Sequence, residues 1–410
     1  MRRWACVLAL ALCAVVVIGC SDSDTPAPSP AEPTAAVLLP DIVGPVLVYA
    51  IDLSKETGQG VEIVTYDVGA RRELVRTSTD HIAGTMVLSE QRGEVLVPRR
   101  VANDFSLDAI DVLRGTNRTI YETALNVEWS IAISPDGMRV ALIELSQRDA
   151  SPTIYGTETR RATVKAIDLV GGGETTIASI DLPFGPDGFS GPPVPRVWRD
   201  DGAGILVSED TSSGRPGGWA TIRIDRRDAL EISSNTPEAI GAWPSPNGRV
   251  MLLRDGGLGD ADCISVANTH RVVLRDLDAD PAIAESLTDV AFAEDPLHGI
   301  NFLEWSPDGE TALFGAYPVI AGEVCPNDVS RDAASYFTLT AGKRGPTLVG
   351  DLRALREQWH PGRIVEFRCT DPAVKVGDNG SCPPFDDRAL IVGGVPVEAG
   401  RAIEVLGFLD

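Results

Sequence analysis

The hydrophobic positions of this chain fall into many short runs that are separated by turn residues. Beyond residue 40, nearly all-apolar runs alternate with clusters of Gly, Pro, Asp and Ser. Short apolar runs bounded by turn residues are typical of β-strands that are buried on both faces. Runs of this kind lie at residues 139–143, 203–207, 249–253, 310–314 and 363–367. The pattern predicts an all-β protein.

A turn motif precedes each of these runs. It reads Ser-Pro-Asp-Gly at residues 134–137 and again at residues 306–309. Pro presets φ for the second turn position, Asp readily adopts the backbone conformation of the third position, and Gly supplies a positive φ. The motif therefore predicts a tight hairpin turn. Weaker copies lie at residues 39–44, 91–93, 198–202, 244–248 and 359–362. This recurrence indicates an internal repeat.

A second mark follows each run, where an alternating strand ends on an aspartate. An Asp at this place can accept hydrogen bonds from the backbone of the next turn and so end the strand. These aspartates are Asp67, Asp111, Asp168, Asp225 and Asp276. The two marks recur in the same order about every 45 to 65 residues, a spacing that suits four-stranded propeller blades.

The turn, the aliphatic strand after it and the strand that ends on Asp resemble the TolB-like, WD-repeat-like family of β-propellers. The resemblance covers residues 37–410 and implies a propeller of four-stranded blades. We expect seven blades, or six if the N-terminal strands complete the last blade. Trp198, Trp305 and Trp359 fall on predicted inner strands, where packing between blades is the expected role.

The N-terminus has the pattern of a lipoprotein signal peptide. Two arginines precede the apolar residues 4–18, which are too few to span a hydrocarbon core of about 30 Å. The next feature, Val-Ile-Gly-Cys at residues 17–20, resembles a bacterial lipobox. The resemblance implies cleavage after Gly19 and acylation of Cys20, with palmitate among the acyl chains. An ordinary signal peptide with an incidental cysteine is the alternative.

The predicted domains follow from this N-terminus. Residues 1–19 are the signal peptide, residues 20–36 are the lipidated cysteine with a Pro-rich tether, and residues 37–410 are the propeller. The protein is expected outside the cytoplasm on a bacterial membrane, and on the periplasmic side of the outer membrane if the cell has one.

The cysteine count agrees with an exported protein. Two of the seven cysteines leave with the signal peptide and Cys20 is lipidated. The remaining four are Cys263, Cys325, Cys369 and Cys382. An even number in an oxidising compartment predicts disulfides. The short stretch between Cys369 and Cys382 favours a local bridge, which leaves Cys263 with Cys325. Metal binding is the alternative, but no C-x-x-C spacing or nearby His pair supports it.

The charge balance limits the classes of partner. Lys and Arg number 36 against 59 Asp and Glu, which gives a net charge of −23. Such a chain is poorly suited to nucleic acids or to anionic membrane surfaces, because both are bound through their phosphates. We therefore expect contact with the membrane only through the lipid anchor, and a monomer.

The long connections are predicted to lie on one face. Residues 145–162, 255–268, 317–334 and 369–385 join the second strand of a blade to the third, and residues 181–195 join one blade to the next. Antiparallel strands place all of these connections at the same end of the blades, opposite the short turns. We call this end the loop-rich face. It is predicted to bind a partner, neutral drift of the loops being the alternative. The candidate contact residues are Tyr155, Phe184, Phe189, Arg215, Trp219 and Tyr317.

Motifs for catalysis are missing from the sequence. There is no G-x-S-x-G, H-E-x-x-H, P-loop or S-x-x-K, and the four histidines are widely scattered. No catalytic residue, metal ligand or cofactor is therefore predicted. The favoured function is a lipid-anchored module of the cell envelope that binds or scaffolds a protein or glycan. The alternative is an envelope hydrolase or lyase with a carboxylate- or metal-based site at the propeller axis.

Overall fold

The computed structural model describes most of the chain after residue 40. The described residues are 41–53, 60–127, 130–146, 158–185, 188–189, 193–198, 202, 204–209, 219–223, 239–245, 247, 249–255, 269–276, 288–291, 298–318, 335–343, 345–369, 388–399 and 403–409. Their strands form seven antiparallel sheets, and residues Leu39–Asp410 make one compact unit.

The first three sheets come from the N-terminal half of the chain and from its last strand. The first contains β1 (Val46–Asp52), β2 (Val61–Asp67), β3 (Arg72–Thr79) and β28 (Ile403–Leu409). The second contains β4 (Val87–Ser89), β5 (Glu94–Val101), β6 (Asp104–Asp111) and β7 (Thr116–Thr123). The third contains β8 (Asn126–Val127), β9 (Ala132–Ile133), β10 (Arg139–Leu145), β11 (Glu158–Asp168), β12 (Glu174–Gly185) and β13 (Gly188–Phe189).

The other four sheets follow in chain order. The fourth contains β14 (Pro193–Trp198), β15 (Gly204–Glu209) and β16 (Trp219–Arg223). The fifth contains β17 (Ala239–Pro244), β18 (Arg249–Asp255), β19 (Thr269–Asp276) and β20 (Thr288–Ala291). The sixth contains β21 (His298–Trp305), β22 (Thr311–Pro318), β23 (Ser335–Thr340) and β24 (Thr347–Leu348). The seventh contains β25 (Val365–Cys369), β26 (Arg388–Val392) and β27 (Val395–Ala399), and the helix α1 (Leu352–Trp359) precedes it.

The number of complete blades differs from the prediction. Five of the sheets have four strands or more, and two have three strands within the described residues. In the third sheet β8 and β9 share the inner position beside β10, and β13 is a short addition at the outer edge. The propeller fold is confirmed, but it has five complete blades in the part of the chain described, so the prediction of seven or six four-stranded blades is wrong.

Helix α1 stands where the repeat predicts an inner strand. Its sequence, LRALREQW, contains no β-branched residue and consists mainly of strong helix formers. The Asp351 side chain accepts a hydrogen bond from the N–H of Ala354 at 2.9 Å and caps the N-terminus, and Pro361 follows the end of the helix. The prediction that Trp359 lies on an inner strand is therefore wrong. Within the described residues, no helix is long and apolar enough to cross a membrane.

The two ends of the chain meet in the first sheet. β28 pairs with β1 over its whole length, from Val46 opposite Leu409 to Ile51 opposite Ile403. The C-terminal strand thus supplies the inner strand of the first blade. This pairing provides partners for the backbone N–H and C=O groups at the edge of β1, which would otherwise be unpaired, and it closes the ring of sheets.

The core consists of layers between neighbouring sheets. In β1, Val46, Val48 and Ala50 pack with the second sheet, while the alternate residues pack with the seventh. These alternate residues are Leu47, Tyr49 and Ile51, and all six are buried. Successive side chains of a strand point to opposite faces, so a strand between two layers must be apolar at every position. Burial of the strands on both faces therefore explains the apolar runs of the sequence.

The repeated turns have the predicted geometry. Gly137 has φ +65° and its N–H donates to the carbonyl oxygen of Ser134 at 2.8 Å. Asp136 accepts a hydrogen bond from the hydroxyl of Ser134 at 2.5 Å and from the N–H of Met138 at 3.0 Å. The second copy, at residues 306–309, repeats these bonds.

Three of the five aspartates at the strand ends act as predicted, and Asp225 lies outside the described residues. Asp168 Oδ1 accepts hydrogen bonds from the N–H groups of Val170 and Gly171 at 2.7 and 2.8 Å. Asp67 and Asp111 bond the backbone of their own turns in the same manner. Each carboxylate satisfies donors that the strand ladder no longer uses, so the strand ends there.

Candidate functional site

Four long connections leave their sheets at the same end. Residues 147–157, 256–268 and 319–334 follow β10, β18 and β22 and lead into the third strands of their blades. The connection from β25 to β26 is equivalent, because β25 follows the turn at 359–362 as second strands do elsewhere. The connections themselves lie outside the described residues. Their place in the strand order agrees with the predicted loop-rich face.

A two-stranded extension projects at this end of the third sheet. The pairing of β10 with β11 stops at Leu145 opposite Ala162, whereas β11 and β12 stay paired as far as Glu158 opposite Phe184. Parts of the predicted loops 145–162 and 181–195 are therefore strand. In these segments, ETRRA and DLPFG, the hairpin register of β11 and β12 continues beyond the end of β10.

A cavity of about 490 Å³ lies between the first and second sheets. Leu53 and Gly60 flank the connection from β1 to β2, so the cavity reaches the loop-rich face. Its polar lining comes from the end of β3 and from the second sheet. The polar lining residues are Ser78, Thr79, Asp80, Arg99 and Asn117.

Arg99 is the central side chain of this cavity. Its Nη1 donates to Asp108 Oδ2 at 2.8 Å, and its Nη2 donates to Asp80 Oδ1 at 2.6 Å. The Nε donates to the carbonyl oxygen of Asp80 at 3.0 Å. These bonds occupy three of the five N–H groups of a guanidinium. The hydrogen bond to Asp108 is the main reason why the pKa of Arg99 is raised above its ordinary value.

Asp108 is the buried partner of Arg99 in this cavity. Its side chain is only 2% exposed, and it accepts a hydrogen bond from the hydroxyl of Thr119 at 2.9 Å and a longer one from the amide of Asn117 at 3.5 Å. Asp80, in contrast, is 56% exposed at the mouth of the cavity. A buried carboxylate thus fixes the guanidinium, and an exposed carboxylate beside it is accessible to a ligand.

The backbone next to Asp80 has an unusual conformation. His81 has φ +54°, in the left-handed region that non-glycine residues rarely adopt. The N–H of Arg100 donates to the His81 carbonyl oxygen at 2.8 Å and holds it there. Strain of this kind costs about 1–3 kcal/mol and persists where the surrounding structure enforces it, often beside binding sites.

A second buried polar cluster lies between the second and third sheets. Glu144, 4% exposed, accepts a hydrogen bond from the hydroxyl of Tyr121 and forms an ion pair with Lys165 at 2.8 Å. Burial raises the pKa of Tyr121 to about 12. Burial alone would lower the pKa of Lys165, but its hydrogen bonds with Glu144 and Tyr121 raise it. The raised pKa keeps Lys165 in its charged form, which pairs with the buried carboxylate of Glu144.

Within the described residues, two of the predicted contact residues lie side by side. The backbones of Phe184 and Phe189 pair directly at the tip of the hairpin extension. Trp219 begins β16 and Tyr317 lies in β22, on different sheets. Tyr155 and Arg215 lie outside the described residues, as do Cys20, Cys263, Cys325 and Cys382. Of the four cysteines predicted to form disulfides only Cys369 is described, as the last residue of β25, so the disulfides and the lipidation remain predictions.

The predicted packing tryptophans are partly confirmed. Trp198 is buried in the cluster that joins the third and fourth sheets, and the guanidinium of Arg139 lies 5.1 Å from its ring centroid. Trp305 packs against Phe302, with ring centroids 6.0 Å apart.

The cavity residues are not among those predicted from the sequence. A signal was present, because Arg99 extends an apolar strand and Asp108 interrupts another. Charged residues are rarely buried unless they are paired, so two of opposite sign in adjacent strands indicate an ion pair. In the described part of the chain, no three His, Cys, Asp or Glu side chains are grouped so as to hold a metal ion.

Comparison with known proteins yields only distant structural resemblances. No family model matches the chain, and no curated protein matches it. Among solved structures, it is similar to TolB from Acinetobacter baumannii at 13% identity and TM-score 0.36, over 85% of this chain and 79% of that one. It is similar to an oligogalacturonate lyase from Vibrio parahaemolyticus at 10% identity and TM-score 0.40, over 74% and 78% of the two chains.

A third resemblance is to a prolyl endopeptidase, at 12% identity and TM-score 0.44. It covers 85% of this chain but only 47% of the peptidase chain, so this chain spans less than half of that protein. All three TM-scores are below 0.5, so the pairing of the strands is what shows the propeller fold.

Proposed function

We propose that this protein is a binding module of the bacterial cell envelope, which contacts a protein or glycan through its loop-rich face. One observation carries the proposal. The long connections of four blades leave at the same end, whereas the described turns between first and second strands at residues 134–137 and 306–309 are short and accept hydrogen bonds from the turns of neighbouring blades. A rigid scaffold with variable loops at one end is how propellers present binding surfaces.

The short turns are poorly suited to a second binding surface. Gln91 donates to the carbonyl oxygen of Pro135 at 3.2 Å, and Ser245 donates to that of Gly309 at 3.1 Å. Each of these bonds joins a turn to the turn of a neighbouring blade. Backbone groups that are already paired in this way offer few free donors or acceptors to a partner.

The test is cross-linking and capture of envelope partners by the full-length protein in detergent. One variant has residues 256–268 and 319–334 replaced by short Gly-Ser linkers. The control variant has the β23–β24 turn, residues 341–346, shortened at the opposite end. Loss of capture in the first variant alone supports the proposal. Equal capture by all three proteins contradicts the assigned face, and no capture by the wild type contradicts a binding function.

The membrane anchor is part of the proposal. The basic start, the apolar residues 4–18 and the lipobox-like residues 17–20 support acylation of Cys20. In cells fed radioactive palmitate, the wild-type protein should be labelled and the Cys20→Ala variant should not. Labelling that persists in the variant contradicts the anchor and leaves the proposed binding face untouched.

A further inference from the structure

We infer that the cavity between the first and second sheets binds a neutral sugar unit. The inference rests on the proposed function, because it gives the loop-rich face a ligand class and a specific pocket. The volume of about 490 Å³ lies within the range of about 300–1,000 Å³ that is usual for small-molecule sites.

The charges at the cavity favour a neutral ligand. Asp80 and Asp108 bear two negative charges against the single positive charge of Arg99. An anionic ligand would meet this excess negative charge and the net charge of −23 of the whole chain. A cationic ligand at Asp80 would lie beside the guanidinium that already bonds the same carboxylate, and like charges repel.

The free hydrogen-bonding groups match hydroxyls. Arg99 has two N–H groups that none of its bonds with Asp80 and Asp108 uses. Oδ2 of Asp80 is 3.7 Å from the His81 imidazole, and so it can still accept a hydrogen bond. The hydroxyl of Thr79, on the face of β3 towards the second sheet, can donate and accept. A sugar hydroxyl both donates and accepts, so it can be paired with a carboxylate and a guanidinium at once.

The cavity is also pre-organised. The buried Asp108 holds the Arg99 guanidinium, and Arg99 in turn donates to the carboxylate and the carbonyl oxygen of Asp80. A ligand then binds without ordering these side chains, which lowers the entropic cost of binding.

The test is calorimetric titration of the full-length protein in detergent with trisaccharide probes. The neutral probes are trisaccharides of glucose, galactose, mannose and N-acetylglucosamine, and the charged probes are those of galacturonate and glucosamine. The Asp80→Ala variant removes the exposed acceptor without unpairing Asp108. The control is Asp104→Ala, which removes an exposed charge from β6 outside the cavity.

At least one neutral trisaccharide should bind, and Asp80→Ala should weaken it about tenfold or more, because a hydrogen bond to a charged group is lost. The Asp104→Ala variant should bind like the wild type. Preference for either charged probe, equal binding by both variants, or no binding of any probe would overturn the inference. If envelope capture by the loop-rich face persists in these cases, the inference fails while the proposed function stands.

Discussion

The substitution Gly309→Ala tests how the turns of adjacent blades are locked together. A Cβ at residue 309 would lie 2.3 Å from Ser245 Oγ and 3.0 Å from Asn247 Cγ. Ser245 is fully buried, and its hydroxyl donates to the carbonyl oxygen of Gly309 at 3.1 Å. The new methyl group must therefore displace this hydroxyl and break the bond between the blades.

Gly202 offers a matched control. Both glycines have φ +67°, but a Cβ at residue 202 meets no described atom within 4 Å. Gly202→Ala should thus show only the backbone penalty of the left-handed region, about 1–2 kcal/mol. Gly309→Ala should add the loss of a buried hydrogen bond and the displacement of Ser245, for a total of about 2–4 kcal/mol.

The assay is urea unfolding of both variants, monitored by tryptophan fluorescence. The free energies of unfolding are compared for the same unfolding transition. The double variant Ser245→Ala with Gly309→Ala should lose less stability than the sum of the single variants, because the clashing oxygen is gone. Equal destabilisation by Gly202→Ala and Gly309→Ala would refute the contact between the turns.

Two further predictions concern buried charges. Hydrogen bonds from the N–H groups of Ala70 and Val43 lower the pKa of Asp67. The lowered pKa stabilises the folded state at pH values above the ordinary carboxyl pKa, and this stabilisation is lost as the pH falls through the lowered pKa. Asp67→Asn should therefore flatten the decline in the free energy of unfolding below about pH 4 in acid titrations. Lys165→Met should destabilise the protein by about 3–5 kcal/mol in urea unfolding, because Glu144 stays buried without its partner, and adding Glu144→Gln should restore most of the loss.

The strands and turns were predictable because their causes are local. The motif at residues 134–137 forms the same hydrogen bonds wherever it occurs, and Asp168 ends its strand through bonds to its own turn. The apolar run of β10 follows from burial on both faces. Each of these features depends on residues that are close in sequence.

The blade count and the cavity were not predictable for the opposite reason. The motif at residues 359–362 gives no sign that helix-forming residues precede it, and helix α1 takes the place of a strand. Asp80 and Arg99 are 19 residues apart, and they meet only because two sheets lie side by side. Contacts between sheets depend on how the blades assemble into a ring. The sequence of a single repeat does not determine this assembly.

The claim that one face binds the partner is tested most directly by hydrogen–deuterium exchange of the protein with and without its captured partner. Protection should appear at the start of β11, at the end of β12 and in the segments 256–268 and 319–334. The turns at residues 134–137 and 306–309 should exchange at the same rate in both states. Protection of these turns, with no change at the hairpin tip or in the two segments, would contradict the assigned face.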